Sequence, residues 1–140
     1  MILHCTFEEL SALSAGAERV LTEAGGAGLA VAAPPEIVAD IESLADRLTG
    51  DLTIETLADA RSVANAVRFV LADLRTRMDG FIVNEHPASE RTVQAYFEYA
   101  HVLSVQDRLR RIGDQMTALI ELMTSAPPTN QSARRIVFPD

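Results

Sequence analysis

Apolar residues recur at steps of three and four along two long stretches of the chain, the spacing that lines one face of an α-helix. In the first stretch they are Leu57, Ala60, Ala64, Val67, Leu71, Leu74, Met78 and Phe81. In the second stretch, which includes one acidic position, they are Ala95, Glu98, Val102, Val105, Leu109, Ile112, Met116, Leu119 and Met123. These patterns predict helices over 53–84 and 90–125, and leave open whether they continue through Gly80 and Gly113. Because only a short break containing Pro87 separates them, we expect an antiparallel helical hairpin.

Two shorter helices are expected before the hairpin. Thr6 and Glu9 have the spacing of a capping box, in which each side chain accepts a hydrogen bond from the other residue's backbone N–H. The apolar pattern that follows predicts a helix over 7–24. Pro35 then sets the first turn of a further helix, predicted over 35–49.

The chain is predicted to be a single all-α domain over residues 1–140, built like a four-helix bundle with a long C-terminal antiparallel hairpin. Its 140 residues, of which 48% are hydrophobic, suffice for one core and are too few for two. Short apolar segments over 2–5 and 135–138 are expected to pair as strands. The sequence leaves open whether residues 25–34 are ordered.

Charge and composition argue against several classes of function. Twenty acidic residues and twelve basic ones give a formal net charge of −8, whereas a nucleic-acid binder normally needs a basic field to displace counterions. All twelve basic residues are Arg, which indicates a GC-rich bacterial genome. The sequence has no apolar run of bilayer length and no basic region of a secretory signal at its start. We therefore expect a cytoplasmic protein that binds neither nucleic acid nor membrane.

The length of the hairpin favours association with a second copy. At 1.5 Å per residue each arm is about 45–55 Å long, whereas the first two helices span only about 22–27 Å each. The fourth helix also carries a second apolar face, formed by Val93, Tyr96, Phe97, Ala100 and Leu103. A helix that is apolar on two sides is packed on both, and a two-fold homodimer would supply that packing. The alternative is a monomeric bundle in which the first or second helix covers this face.

Glu98 and His101 form a Glu-x-x-His motif, which places a carboxylate and an imidazole on one face of the fourth helix. The spacing resembles the motif by which ferritin-like bundle proteins hold two iron or manganese ions with the help of Glu residues from facing helices. The resemblance implies a site for iron, manganese or zinc at these two residues. The other helices lack suitable inward-facing Glu residues, so such a site needs a second chain. The alternative is that both residues pair with Arg75 or Arg77 or reach solvent.

The spacing of potential nucleophiles and bases predicts no catalytic site. His4 and Cys5 are adjacent in a predicted strand, so their side chains point to opposite faces. The glycines over 25–28 follow a helix and precede no Lys, unlike those of a phosphate-binding loop. We therefore predict a protein that acts through homodimerisation and by binding another protein, and not as an enzyme. The alternatives are a ferritin-like metal-binding protein and a nucleic-acid-associated regulator.

Overall fold

The predicted hairpin is the longest unit of the computed structural model, which describes residues 1–24 and 33–125. The helices are α1 (Phe7–Ala24), α2 (Pro35–Ala45), α3 (Leu57–Asn84) and α4 (Glu90–Ser125). Helices α3 and α4 are the arms of the hairpin and pack against each other, while α1 and α2 pack on the hairpin and on one another. The all-α class predicted from the sequence is confirmed.

Side-chain caps fix where the first and third helices begin. At the start of α1, the Thr6 hydroxyl accepts from the N–H of Glu9 at 3.1 Å, and the Glu9 carboxylate accepts from the N–H of Thr6 at 2.9 Å. The capping box expected from the sequence is therefore formed. Before α3, the Thr56 hydroxyl accepts from the N–H of Asp59 at 3.0 Å. Both helices thus satisfy backbone donors that no preceding turn can reach.

The first residues of the chain form a strand that pairs with a segment between α2 and α3. Strand β1 (Ile2–Leu3) pairs antiparallel with β2 (Leu52–Thr53). The amino group of Met1 donates to the carbonyl oxygen of Ile54 at 2.8 Å, which ties the start of the chain to the segment before α3. The sequence predicts pairing with 135–138 instead, and that segment lies outside the residues that the structure describes.

Two helix boundaries differ from their predicted positions. The helix predicted over 53–84 begins at Leu57, because Leu52–Thr53 belongs to the sheet and Thr56 caps the helix. The helix predicted over 35–49 ends at Ala45, and the residues that follow it form hydrogen-bonded turns that lead to β2.

The core lies between the hairpin and the two shorter helices. Helix α3 is buried on a wider face than its apolar spacing predicts, because α1, α2 and α4 all pack on it. Its buried apolar residues are Ala60, Val63, Ala66, Val67, Val70, Leu71 and Leu74. Helix α1 lies close to α3 at Gly16, where an added Cβ would lie 2.4 Å from Cγ1 of Val70. Only glycine therefore fits at that position without movement of its neighbour.

Both arms of the hairpin are unbroken. Helices α3 and α4 continue through Gly80 and Gly113, and a Cβ at either glycine would meet nothing within 4 Å. At 1.5 Å per residue the arms are about 42 Å and about 54 Å long. The last turns of the longer arm expose the apolar residues Leu119, Ile120, Leu122 and Met123. In the described ranges, no helix combines the length and apolarity needed to cross a bilayer.

Candidate functional site

A surface groove of about 770 Å³ lies between the first half of α1 and the start of α4. It is lined by Phe7, Glu8, Ser11, Ala12 and Ala15 of α1 and by Glu90, Val93, Gln94, Phe97, Glu98 and His101 of α4. The two helices are in contact, and the groove exists because α1 presents the small side chains of Ser11, Ala12 and Ala15 there. Aromatic and aliphatic side chains from both helices border this space.

The apolar face predicted on α4 lies at the surface and borders the groove. We call its five residues, Val93, Tyr96, Phe97, Ala100 and Leu103, the α4 face. All five are exposed, and the side chains of Tyr96 and Phe97 each remain 58% accessible to solvent. The two rings meet edge to face, with their centroids 5.9 Å apart. An apolar surface this concentrated is typical of a site that contacts another molecule.

Phe7 extends the apolar surface across the groove to α1. Phe7 is 79% exposed, more than any other aromatic residue that the structure describes. Phe7 lies three positions before Leu10, so its spacing alone would place it on the apolar face of α1. The structure instead leaves it exposed beside the groove, so the sequence pattern does not single it out as a surface residue.

The rim of the groove is acidic. Glu8 and Glu90 lie in the first turns of α1 and α4, where the positive ends of the helix dipoles stabilise carboxylates. Within the described part of the chain, neither has a basic group within 4.0 Å. These two carboxylates are therefore available to a basic group on a partner.

The third acid of the rim, Glu98, is bound within the chain. It accepts a hydrogen bond from Arg19 of α1 at 3.0 Å and another from Gln94 at 3.4 Å. The sequence alternative of a partner at Arg75 or Arg77 is wrong for Glu98, because α1 packs against this side of α4 and brings Arg19 to it. The pair fixes α1 beside α4 and leaves the α4 face uncovered.

Glu98 and His101 both line the groove, as their shared helix face predicts. Across residues 1–24 and 33–125, no three His, Cys, Asp or Glu side chains are grouped so that they could hold a metal ion. The arrangement implied by the ferritin-like motif needs ligands from a second chain, and a metal site at these residues stays a prediction.

A second cavity, of about 260 Å³, shares Gln94 and Glu98 with the groove and is lined by three Arg residues. Each guanidinium group already binds a carboxylate. The pairs are Arg19 with Glu98, Arg77 with Asp73 and Glu23, and Arg91 with Glu85. The positive charge of this cavity is thus compensated within the chain, and the cavity does not present a free anion site.

The single thiol lies at the opposite end of α1 from Arg19. Burial raises the pKa of the Cys5 thiol, and the nearby Arg108 guanidinium only partly opposes the rise. A protonated thiol is a weak nucleophile. The His4 ring is exposed and bonds Asp51 at 2.7 Å, so it is not aimed at the thiol. This geometry supplies no activated nucleophile at Cys5.

Comparison with protein-family models, with curated proteins and with solved structures finds no match to this chain. The role of the surface is therefore inferred from its own shape, burial and charge.

Proposed function

We propose that the chain acts as a homodimer, in which the α4 face and groove of one copy pack against those of a second. The observation that carries the proposal is the exposure of two adjacent aromatic rings, Tyr96 and Phe97, in the middle of an apolar helix face. Leaving such surface in water costs roughly 25 cal/mol per Å² of apolar area. Aromatic residues are enriched in the buried centres of protein interfaces.

The shape of the surface suits a second copy of the same chain. A ridge formed by Val93 and Phe97 on α4 borders a recess above the small residues Ser11, Ala12 and Ala15 of α1. Two-fold symmetry places the same patch on both sides of an interface. Each ridge can then enter the recess of the other copy, so one patch supplies both complementary shapes.

The packing of the shorter helices supports the dimer over the monomeric alternative. That alternative requires α1 or α2 to lie over the α4 face. Helix α1 instead packs beside it, on the side of Glu98, while α2 packs on α1 and α3. The described residues thus leave the face exposed, and an unbroken α4 keeps it continuous.

The proposal is tested by placing a charge in the centre of the face. We expect Phe97→Glu to be a monomer, because dimerisation would bury the new carboxylate without a partner. The matched control is Val83→Glu, at a position that is 82% exposed near the end of α3 and does not line the groove. Size-exclusion chromatography with light scattering should show dimers for the wild type and for Val83→Glu. A dimeric Phe97→Glu with unchanged helix content would overturn the proposed surface.

A further inference from the structure

Ala100 has the smallest side chain on the α4 face and lies between its larger members. Tyr96 and Phe97 precede it by one helical turn, and Leu103 follows it by nearly one turn. Two helices approach each other most closely where the side chains between them are small. Ala100 is exposed. It is therefore the position on the α4 face where a second α4 helix can approach most closely.

Opposite charges stand on the two sides of Ala100 along α4. Glu90 lies about 15 Å before it and Arg111 about 17 Å after it, at 1.5 Å per residue. With about 100° of rotation per residue, Arg111 projects within about 20° of the direction of Ala100, and Glu90 within about 80°. Arg111 is exposed and, among the described residues, has no carboxylate within 4.0 Å, whereas its neighbour Arg110 is bound to Asp107 at 3.1 Å.

The direction of the second helix follows from these charges. A parallel dimer in register would set Glu90 against Glu90 of the partner subunit and Arg111 against Arg111 of the partner subunit. Like charges opposed in this way repel one another. An antiparallel dimer sets Glu90 near Arg111 of the partner subunit at both ends, and it also aligns the helix dipoles favourably.

We infer that two α4 helices cross antiparallel about a two-fold axis beside Ala100, with Glu90 of each copy facing Arg111 of the other. In this arrangement Tyr96 packs against Leu103 of the partner subunit, and Ala100 meets its own copy. The inference rests on the proposed homodimer, and it adds the direction, the register and the axis of that dimer.

Disulfide trapping tests the axis, because the only cysteine of the chain is Cys5. In a Cys5→Ser background, Ala100→Cys should form a covalent dimer under mild oxidation, since a residue on a two-fold axis meets its own copy within the roughly 7 Å that a disulfide spans. The matched control is Ala118→Cys, an exposed alanine that projects from α4 in the same direction, about 27 Å farther along. An antiparallel crossing at Ala100 keeps the two copies of position 118 far apart.

The outcomes separate the inference from the proposed function. Trapping at Ala100→Cys alone supports the antiparallel axis. Trapping at both positions indicates a parallel dimer and overturns the inference, as does a dimer by light scattering that traps at neither position. A chain that is monomeric by light scattering overturns the proposed function itself.

Charge exchange provides a second readout. Glu90→Arg and Arg111→Glu should each raise the dimer dissociation constant about two- to thirtyfold, because each variant removes both of the symmetry-related exposed ion pairs. The double variant Glu90→Arg/Arg111→Glu should return it to the wild-type value, because the antiparallel pair is restored with its charges reversed. A double variant that is no tighter than either single variant would contradict the pairing of Glu90 with Arg111.

Discussion

Arg108 of α4 donates hydrogen bonds from both of its terminal nitrogens to the two carboxylate oxygens of Glu9 in α1, 99 positions earlier in the chain. Glu9 is only 5% exposed and also caps the first turn of its own helix. One buried carboxylate therefore both starts α1 and fixes it to the middle of α4, so this pair holds the helix that forms one wall of the groove.

Removing the charge of Glu9 should destabilise the fold. Glu9→Gln keeps a side chain that can cap α1, but it leaves the Arg108 cation without its counter-charge in a partly buried place. We expect a loss of about 2 kcal/mol in the free energy of unfolding, measured by urea denaturation at a fixed chain concentration. The control is Glu85→Gln, which breaks the more exposed pair with Arg91 and should cost less than about 1 kcal/mol. Equal losses in the two variants would show that the buried pair has no special role.

The same carboxylate predicts how stability depends on pH. Burial alone would raise the pKa of Glu9, but hydrogen bonds from Arg108 and from the N–H of Thr6 outweigh it and lower the pKa to about 2. A lowered pKa in the folded state stabilises the fold above the unfolded value of 4.5, and this contribution disappears as the pH falls from there towards 2. We expect the free energy of unfolding to fall by about 3 kcal/mol across this interval. Chemical denaturation at each pH would measure this loss. Glu9→Gln should have a flatter profile, and an unchanged slope would assign the acid sensitivity to other groups.

The two kinds of helical glycine should respond in opposite ways to alanine. At Gly16 the new Cβ would collide with Val70 of α3, and we expect a loss of about 1–3 kcal/mol from the forced separation of the helices. At Gly80 the Cβ has open space, and the higher helix propensity of alanine should add about 0.5–1 kcal/mol. Thermal denaturation of both variants compares these effects directly. A stabilising Gly16→Ala would mean that α1 and α3 are not in close contact there.

The helices could be predicted from the sequence where a residue's own neighbours determine its structure. The apolar spacing from Leu57 to Phe81 encodes one helix face, and the capping box at Thr6 and Glu9 encodes a helix start. The start of α3 is also marked locally, by the Thr56 hydroxyl that caps it, although the apolar spacing alone does not locate it. The strand Leu52–Thr53 could not be predicted from its neighbours, because it depends on pairing with Ile2–Leu3, a contact between distant parts of the chain.

The same distinction between local and long-range determinants applies to the candidate site. The α4 face could be predicted because its five residues share one helical phase, distinct from that of the buried residues Val102 and Val105. The partner of Glu98 could not, because it depends on the side of α4 against which α1 packs. The contribution of Phe7 depends on the same placement, since nothing in the spacing of α1 indicates which helix lies beside its first turn.

The most direct measurement is sedimentation equilibrium of the unmodified chain over a range of concentrations reaching tens of micromolar. The proposed burial of the α4 face predicts the mass of two chains, with dissociation to one chain only on dilution. The mass of a single chain at every concentration would contradict it, because the aromatic surface around Tyr96 and Phe97 would then be stable in water on its own.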